Sequence, residues 1–289
     1  MELRRILYFI ETAKCSSFTR AAENLGISQP ALSYQISILE RESKITLFDR
    51  SQKKIRLTLQ GERFLQGALK LKDSYLELMS SESSEQKEPE GQYIISSGGT
   101  VAAWILPDVI KNISKKYSRI SFHVLEGDAV TTRDSVLKGT CDLGILTEEI
   151  HEEGISSKIF LSDKIVPVVS KNHPLSGKKK IHVDDILKEK FVLFHKDSSI
   201  RRLIEKNINT KYPQFNPDVV MELRGVESVI RSVKAGLGIG FLSALSINKD
   251  LRLLNCEELS VERTFYLSYR KSIRTLQFVD IFEKYSQKH

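Results

Sequence analysis

The chain has 289 residues and a mass of 32.9 kDa, which leaves room for about two or three domains with cores of their own. Its 40% hydrophobic and 28% charged residues match ordinary globular usage and exclude wholesale disorder and collagen-like or mucin-like chains. The apolar stretches are short and glycine-broken, as at 235–245, which excludes a helical membrane span, and the charged start 1–9 lacks the apolar core of an export signal. A cytoplasmic protein is therefore expected.

The net charge of +7 and a pI near 9.1 permit binding to a polyanion without requiring it. Cys15, Cys141 and Cys256 are odd in number and show no C-x-x-C spacing, so neither a disulfide framework nor a metal site is expected.

In chain order, Leu3, Ile6, Leu7, Ile10 and Ala13 recur at helical spacing and predict an amphipathic helix over 3–14. Ser17 is a suitable N-cap for a second helix through Ala21, Ala22 and Leu25, which Gly26 stops. Ser28 caps a third, with Pro30 in the first turn, where no intrahelical N–H bond is needed. Two helices joined by a short glycine-containing turn are a helix-turn-helix candidate. On the third helix Leu32, Ile36 and Leu39 form a narrow apolar ridge. Pro30, Ser33, Tyr34, Ser37 and Arg41 take the other side, with Gln29 at its N-terminal edge. A side of amide, hydroxyl and phenol groups can enter a major groove and bond to base edges.

Residues 45–48 are β-prone and lead into the basic turn Asp49-Arg-Ser-Gln-Lys-Lys-Ile-Arg56, which reads as a hairpin wing. Its Arg50, Lys53, Lys54 and Arg56 are placed to reach phosphates. From Leu59 a longer apolar stripe runs through Phe64, Ala68, Leu71, Tyr75 and Leu78, with Leu65, Leu69, Leu76 and Met79 in a neighbouring row. So wide a stripe needs a partner, and a dimer through this helix is expected, which would set two recognition helices on a two-fold DNA site. Residues 80–90 carry one Lys against four Glu, contain a proline and no apolar side chain, and read as a solvated linker.

These residues carry a resemblance. Leu3-x-x-x-Leu7-x-Phe9, Ser17-Phe-Thr-Arg-Ala-Ala22, Ser28-Gln-Pro-Ala-Leu-Ser33, Leu47-Phe48-Asp-Arg50 and Leu57-Thr58-x-x-Gly61 resemble the N-terminal signature of LysR-type transcriptional regulators, nearly without gaps over about 60 residues. Ser43-Lys44 stands where that family usually has Leu-Gly, Gln60 where it has Ala, and Tyr34 where many relatives have Arg. The DNA-contacting set is then Ser17, Gln29, Pro30, Ala31, Ser33, Tyr34, Ser37, Arg50, Lys53 and Lys54.

Residues 91–289 alternate short apolar runs with amphipathic ones, which predicts α/β units with mostly parallel strands, in two lobes. The resemblance continues more weakly through Gly139-x-x-Asp142-Leu-Gly-Ile145, His173-Pro-Leu175 and Val233-x-Ala-Gly-Leu-Gly-Ile-Gly240. It implies a domain similar to type 2 periplasmic binding proteins, with a small-molecule site between two subdomains. Such a site lies where strands end and helices begin, because free N–H groups there favour an anion. Ser96-Ser-Gly-Gly-Thr100 supplies Gly98, Gly99 and Thr100, and Ser198 and Ser199 are the counterparts in the second lobe. The resemblance adds Thr131, Thr147, Val226 and Glu227.

No catalytic constellation emerges. Gly236-x-Gly238-x-Gly240 precedes a strand and follows a helix, the reverse of a dinucleotide loop, and reads as a tight turn. His151 lacks the second histidine of a zinc protease motif, and His123, His173, His182 and His195 are scattered and read as structural.

The expected fold is α/β, with a helix-dominated winged helix-turn-helix at 1–58, a dimerisation helix and hinge at 59–90 and a two-lobed domain at 91–289. Subdomain I spans about 91–163 plus 267–289, and subdomain II about 164–266. The expected function is non-enzymatic, cofactor-free regulation of transcription. Its partners are double-stranded promoter DNA, a small effector of anionic character and further copies of the chain up to a tetramer, with RNA polymerase allowed. The rivals are a DNA-tethered enzyme and an exported solute binder.

Overall fold

The computed structural model describes residues 1–49, 55–80, 89–178 and 181–286. The chain begins with α1 (Leu3–Cys15), α2 (Phe18–Leu25) and α3 (Gln29–Ser43). The Ser17 hydroxyl accepts from the Arg20 amide and the Ser28 hydroxyl from the Ala31 amide, so both predicted caps start their helices. Strands β1 (Phe48–Asp49) and β2 (Arg56–Leu57) pair antiparallel as the base of the wing. The β-prone run 45–48 enters β1 only at Phe48. Arg50, Lys53 and Lys54, expected from the sequence to reach phosphates, lie outside the described residues.

Lys44 occupies the glycine-favoured position noted above with φ +56, and its amide donates to the Glu40 carbonyl. The Glu40 carboxylate in turn accepts from the amides of Leu47 (2.8 Å) and Phe48 (3.2 Å), tying α3 to the wing.

Helix α4 (Leu59–Ser80) follows Thr58, whose hydroxyl accepts from the Gly61 amide and donates to the Thr46 carbonyl. Gly61 is required by space: a Cβ there would sit 2.1 Å from the Leu47 carbonyl oxygen. Phe9 packs between Phe48 and Phe64 at 5.4 and 5.3 Å, and Leu65, Ala68 and Leu69 of α4 join the same core. The α4 stripe therefore divides. Its first half is buried within the chain, while Leu71, Tyr75 and Leu78 stay exposed. The side chains of Leu76 and Met79, and residues 81–88 of the linker, lie outside the described residues.

The C-terminal region is built from β3 (Gly91–Ser97), α5 (Gly99–Trp104), α6 (Leu106–Lys116), β4 (Ile120–Glu126), α7 (Ala129–Leu137), β5 (Leu143–Leu146) and β6 (Ile155–Ser170). It continues through α8 (Val183–Leu187), β7 (Lys190–Phe194), α9 (Ser199–Lys211), β8 (Asp218–Leu223) and α10 (Val226–Lys234). β9 (Gly240–Ser243), β10 (Leu251–Leu253), β11 (Val261–Arg270) and α11 (Ile273–Ser286) complete it.

The expectation of mostly parallel strands is corrected. β3 pairs parallel with β4 and β5, and β7 with β8, but β11 runs antiparallel to both β5 and β6, and β6 to β9 and β10. The cause is the long β6–β11 ribbon, which crosses from one hydrophobic core to the other. Phe160, Leu161 and Phe265 pack with the core around Tyr93, Ile95 and Phe278, whereas Ile165 and Val261 pack with that around Phe191, Ile204 and Val229. An apolar run reads the same in either strand direction, so periodicity could not show this. Gly236 and Gly238, at φ +82 and +159, turn the chain from α10 into β9 as the sequence suggests.

Among the described residues no helix is long and apolar enough to cross a membrane. The three cysteines are free thiols, and burial pushes that of Cys141 up to about 12.

Candidate functional site

Two places in the molecule concentrate unspent chemistry. The first is the outer side of α3. Leu32, Ile36 and Leu39 are fully buried against α1 and α2, which turns the opposite side outward. Gln29, Pro30, Ala31, Tyr34 and Ser37 are exposed there, Tyr34 to 63%, and Ser33 is half-buried. The first turn carries no acidic residue, so nothing on it repels a phosphate. The Ser37 hydroxyl donates to the Tyr34 carbonyl and keeps its lone pairs for a donor. Ser17, half-buried, starts α2, and its hydroxyl proton remains available after capping. Arg56 is exposed on the wing strand.

The second place is a cleft of about 460 Å³ between the two C-terminal cores. It opens where β3, β4, β5 and β7 end, and the first residues of α5, α7, α9 and α10 line it. Gly98, Gly99, Thr100, Thr147, Ser198, Ser199 and Val226 all lie on its wall. Ser198 before α9 and Gly225 before α10 give no side-chain cap, so these helices present free amides.

Thr131 and Glu227 do not line the cleft. The phase of α7 directs Thr132 inward, where it meets the Ser96 hydroxyl at 3.1 Å, and leaves Thr131 exposed with its amide donating to Asp128. Glu227, one residue past Val226, turns to solvent and pairs with Arg231 at 3.0 Å.

The charged lining was not legible in the sequence. Glu126, Asp128, His195, Asp197, Arg224 and Arg263 all reach the cleft from separate loops and strands. Amides of α7 bonding to Asp128 hold its carboxyl below the usual carboxylate range. Glu126 lies over Gly99, its Oε1 2.7 Å from where a Cβ on that glycine would stand. His195, read as structural from the sequence, sits at the rim with Nδ1 3.1 Å from Asp197 and Nε2 3.7 Å from Glu222. Arg224 comes within 3.4 Å of the same ring.

The floor is a buried ion pair. Arg263 donates through Nε and Nη2 to Asp163 Oδ2 at 2.8 and 2.7 Å, and through Nη2 to the Thr100 hydroxyl at 3.3 Å, while stacking 4.5 Å from the Phe265 ring. Ser243 donates to the other Asp163 oxygen at 2.8 Å. Burial lowers the arginine's pKa and the adjacent carboxylate works against that. The only hint of Arg263 in sequence is a charge inside an otherwise strand-like run, and such charges are commonly edge residues.

No nucleophile with a base beside it stands among these groups, and the described residues hold no cluster of three or more His, Cys, Asp or Glu side chains able to bind a metal ion.

Comparison with known proteins agrees with this division. Residues 3–62 match the family described as "Bacterial regulatory helix-turn-helix protein, lysR family", and residues 86–285 match "LysR substrate binding domain". The chain is 31% identical over 266 residues to the "Probable RuBisCO transcriptional regulator" of Trieres chinensis, covering 89% of this chain and 85% of that one. A full-length OxyR variant from Pseudomonas aeruginosa shares the fold, with a TM-score of 0.81 at 20% identity over 99% of this chain and 98% of that one. The regulatory domain of Synechocystis PCC6803 CcmR, solved in complex with 2-PG, covers 68% of this chain and 98% of its own at a TM-score of 0.61 and 22% identity. A DNA-reading module, a two-lobed binding domain and a match to both halves in order lead to one conclusion: the chain belongs to the LysR family of transcriptional regulators.

Proposed function

We propose that this regulator reads promoter DNA through the outer side of α3 and that a small polar molecule in the cleft alters that binding. The observation that carries the reading is the division of α3, whose ridge is fully buried while Gln29, Pro30, Ala31 and Tyr34 are left uncovered. Gln29, Ser33 and Tyr34 offer hydrogen bonds to base edges, and Ser17 and Arg56, with Arg50, Lys53 and Lys54 of the same basic segment, hold the flanking phosphates.

The effector carries an anionic group, for which the free amides of α9 and α10 and the hydroxyls of Ser198, Ser199 and Thr147 are suited. It also carries hydrogen-bond donors, which suit Glu126. The CcmR regulatory domain, which shares this fold, was solved in complex with 2-PG. In this reading the protein acts without a cofactor and without turning the effector over, in keeping with relatives named as transcriptional regulators. It works in the cytoplasm as a dimer joined by the exposed Leu71, Tyr75 and Leu78 of α4 and as a tetramer of such dimers, and RNA polymerase is a further partner.

The test is to select duplexes from a randomised pool and compare them with scrambled versions by fluorescence anisotropy. The selected sequence is expected to bind at least about 1,000-fold more tightly. Equal affinity for both refutes the reading. Native mass spectrometry of the isolated protein reports assembly size and any retained acid.

A further inference from the structure

Two elements of the cleft wall also reach α4. Helix α7 starts in the cleft at Ala129 and Thr132 and spans about 13 Å. At its far end the Leu137 carbonyl accepts from Gln66 Nε2 of α4 at 3.2 Å and from Arg270 Nη2 at 3.4 Å. Strand β11 leaves the cleft at Arg263 and Phe265 and finishes at Arg270, which donates to Gln66 Oε1. Around this point Leu69 packs on Gly139, and Lys70 pairs with Glu153 at 2.5 Å. Gln66 thus joins the ends of both elements to the helix that carries the DNA-reading module.

The junction holds a buried cation that makes no ion pair among the described residues. Arg270 is only 9% exposed, its Nε has no hydrogen-bond partner, and among the described residues it forms no ion pair. Its acceptors are neutral, an amide oxygen and a backbone carbonyl. Burial lowers its pKa, with Asp73 of α4 acting the other way. A buried charge whose hydrogen-bond acceptors are neutral favours movement that returns it to water. The contact is closed by shape and hydrogen bonds while this charge favours opening.

We propose that Gln66, Arg270 and Leu137 form a sprung latch between the effector domain and α4, which α7 and β11 release when the cleft changes shape. The relay rests on the proposed effector site, whereas the latch itself does not, so the two are tested apart, without ligand or DNA.

Hydrogen exchange is followed by mass spectrometry on the full chain over residues 62–73 and 137–142, with 31–39 of α3 as the internal control. Gln66→Glu exchanges the bond to the Leu137 carbonyl for an ion pair with Arg270 and is expected to slow exchange over 62–73 by about tenfold, the gain a charge-assisted hydrogen bond provides. Arg270→Met keeps the packing without the charge and is expected to leave exchange no faster than in the unaltered chain. Gln66→Glu combined with Arg270→Met is expected to lose the gain. If Gln66→Glu leaves exchange over 62–73 unchanged or faster, the buried Arg270 charge is not what strains the contact and the sprung latch is overturned. Asp128→Ala, which frees the cleft end of α7, is expected to speed exchange at 62–73 about threefold with 31–39 unaffected. Equal exchange there rejects α7 as the relay while leaving the effector site itself untouched.

Discussion

Replacing Asp163 with Asn tests the physical account of the cleft floor most directly. The carboxylate is fully buried and takes two hydrogen bonds from Arg263 and one from Ser243. Asparagine keeps the shape and removes the charge, leaving the guanidinium buried between Thr100 and the Phe265 ring with nothing to balance it. Breaking one side of such a pair costs about 3–5 kcal/mol, mostly the penalty of the orphaned charge. In a domain of this size each kcal/mol lowers Tm by about 2–4 °C, so the effector domain should melt about 6–20 °C earlier. The assay is calorimetry of the full chain, with urea unfolding to give the free energy. Asp163→Leu with Arg263→Met removes both charges and should recover most of the loss. Asp163→Asn melting within about 1 kcal/mol of the parent, or a double variant no more stable than the single one, refutes the reasoning.

Gly61→Ala drives a methyl group into the Leu47 carbonyl and should destabilise the N-terminal module by about 1–3 kcal/mol or more, read as an earlier first transition on heating. Ser33→Ala should lower discrimination between selected and scrambled DNA, whereas Arg56→Ala should weaken both alike and reduce the salt slope by about one. The depressed pKa of Asp128 makes its cap on α7 a contribution present above the unfolded carboxylate value near 3.9 and lost as pH falls through the lower folded value. Asp128→Ala should therefore cost about 1 kcal/mol at neutral pH, and the difference from the parent should vanish in strong acid, as urea titrations across that range will show.

Much of the N-terminal module was legible from local signals because its rules act within a few residues. Ser17 and Ser28 cap helices through their own neighbours, and the spacing of Leu32, Ile36 and Leu39 alone determines which side of α3 faces the core. The Gly and Ser positions of the cleft were legible too, since a strand-to-helix junction carries its polarity with it. Other features depend on residues far apart. The direction of β6 and β11, the meeting of Arg263 with Asp163 a hundred residues away, the charged rim around His195 and the docking of α4 on Arg270 each involve partners from distant parts of the chain. Thr131 and Glu227 show the limit at its finest: one residue of helical phase separates a wall from a solvent face, and only packing against the rest of the domain determines that phase.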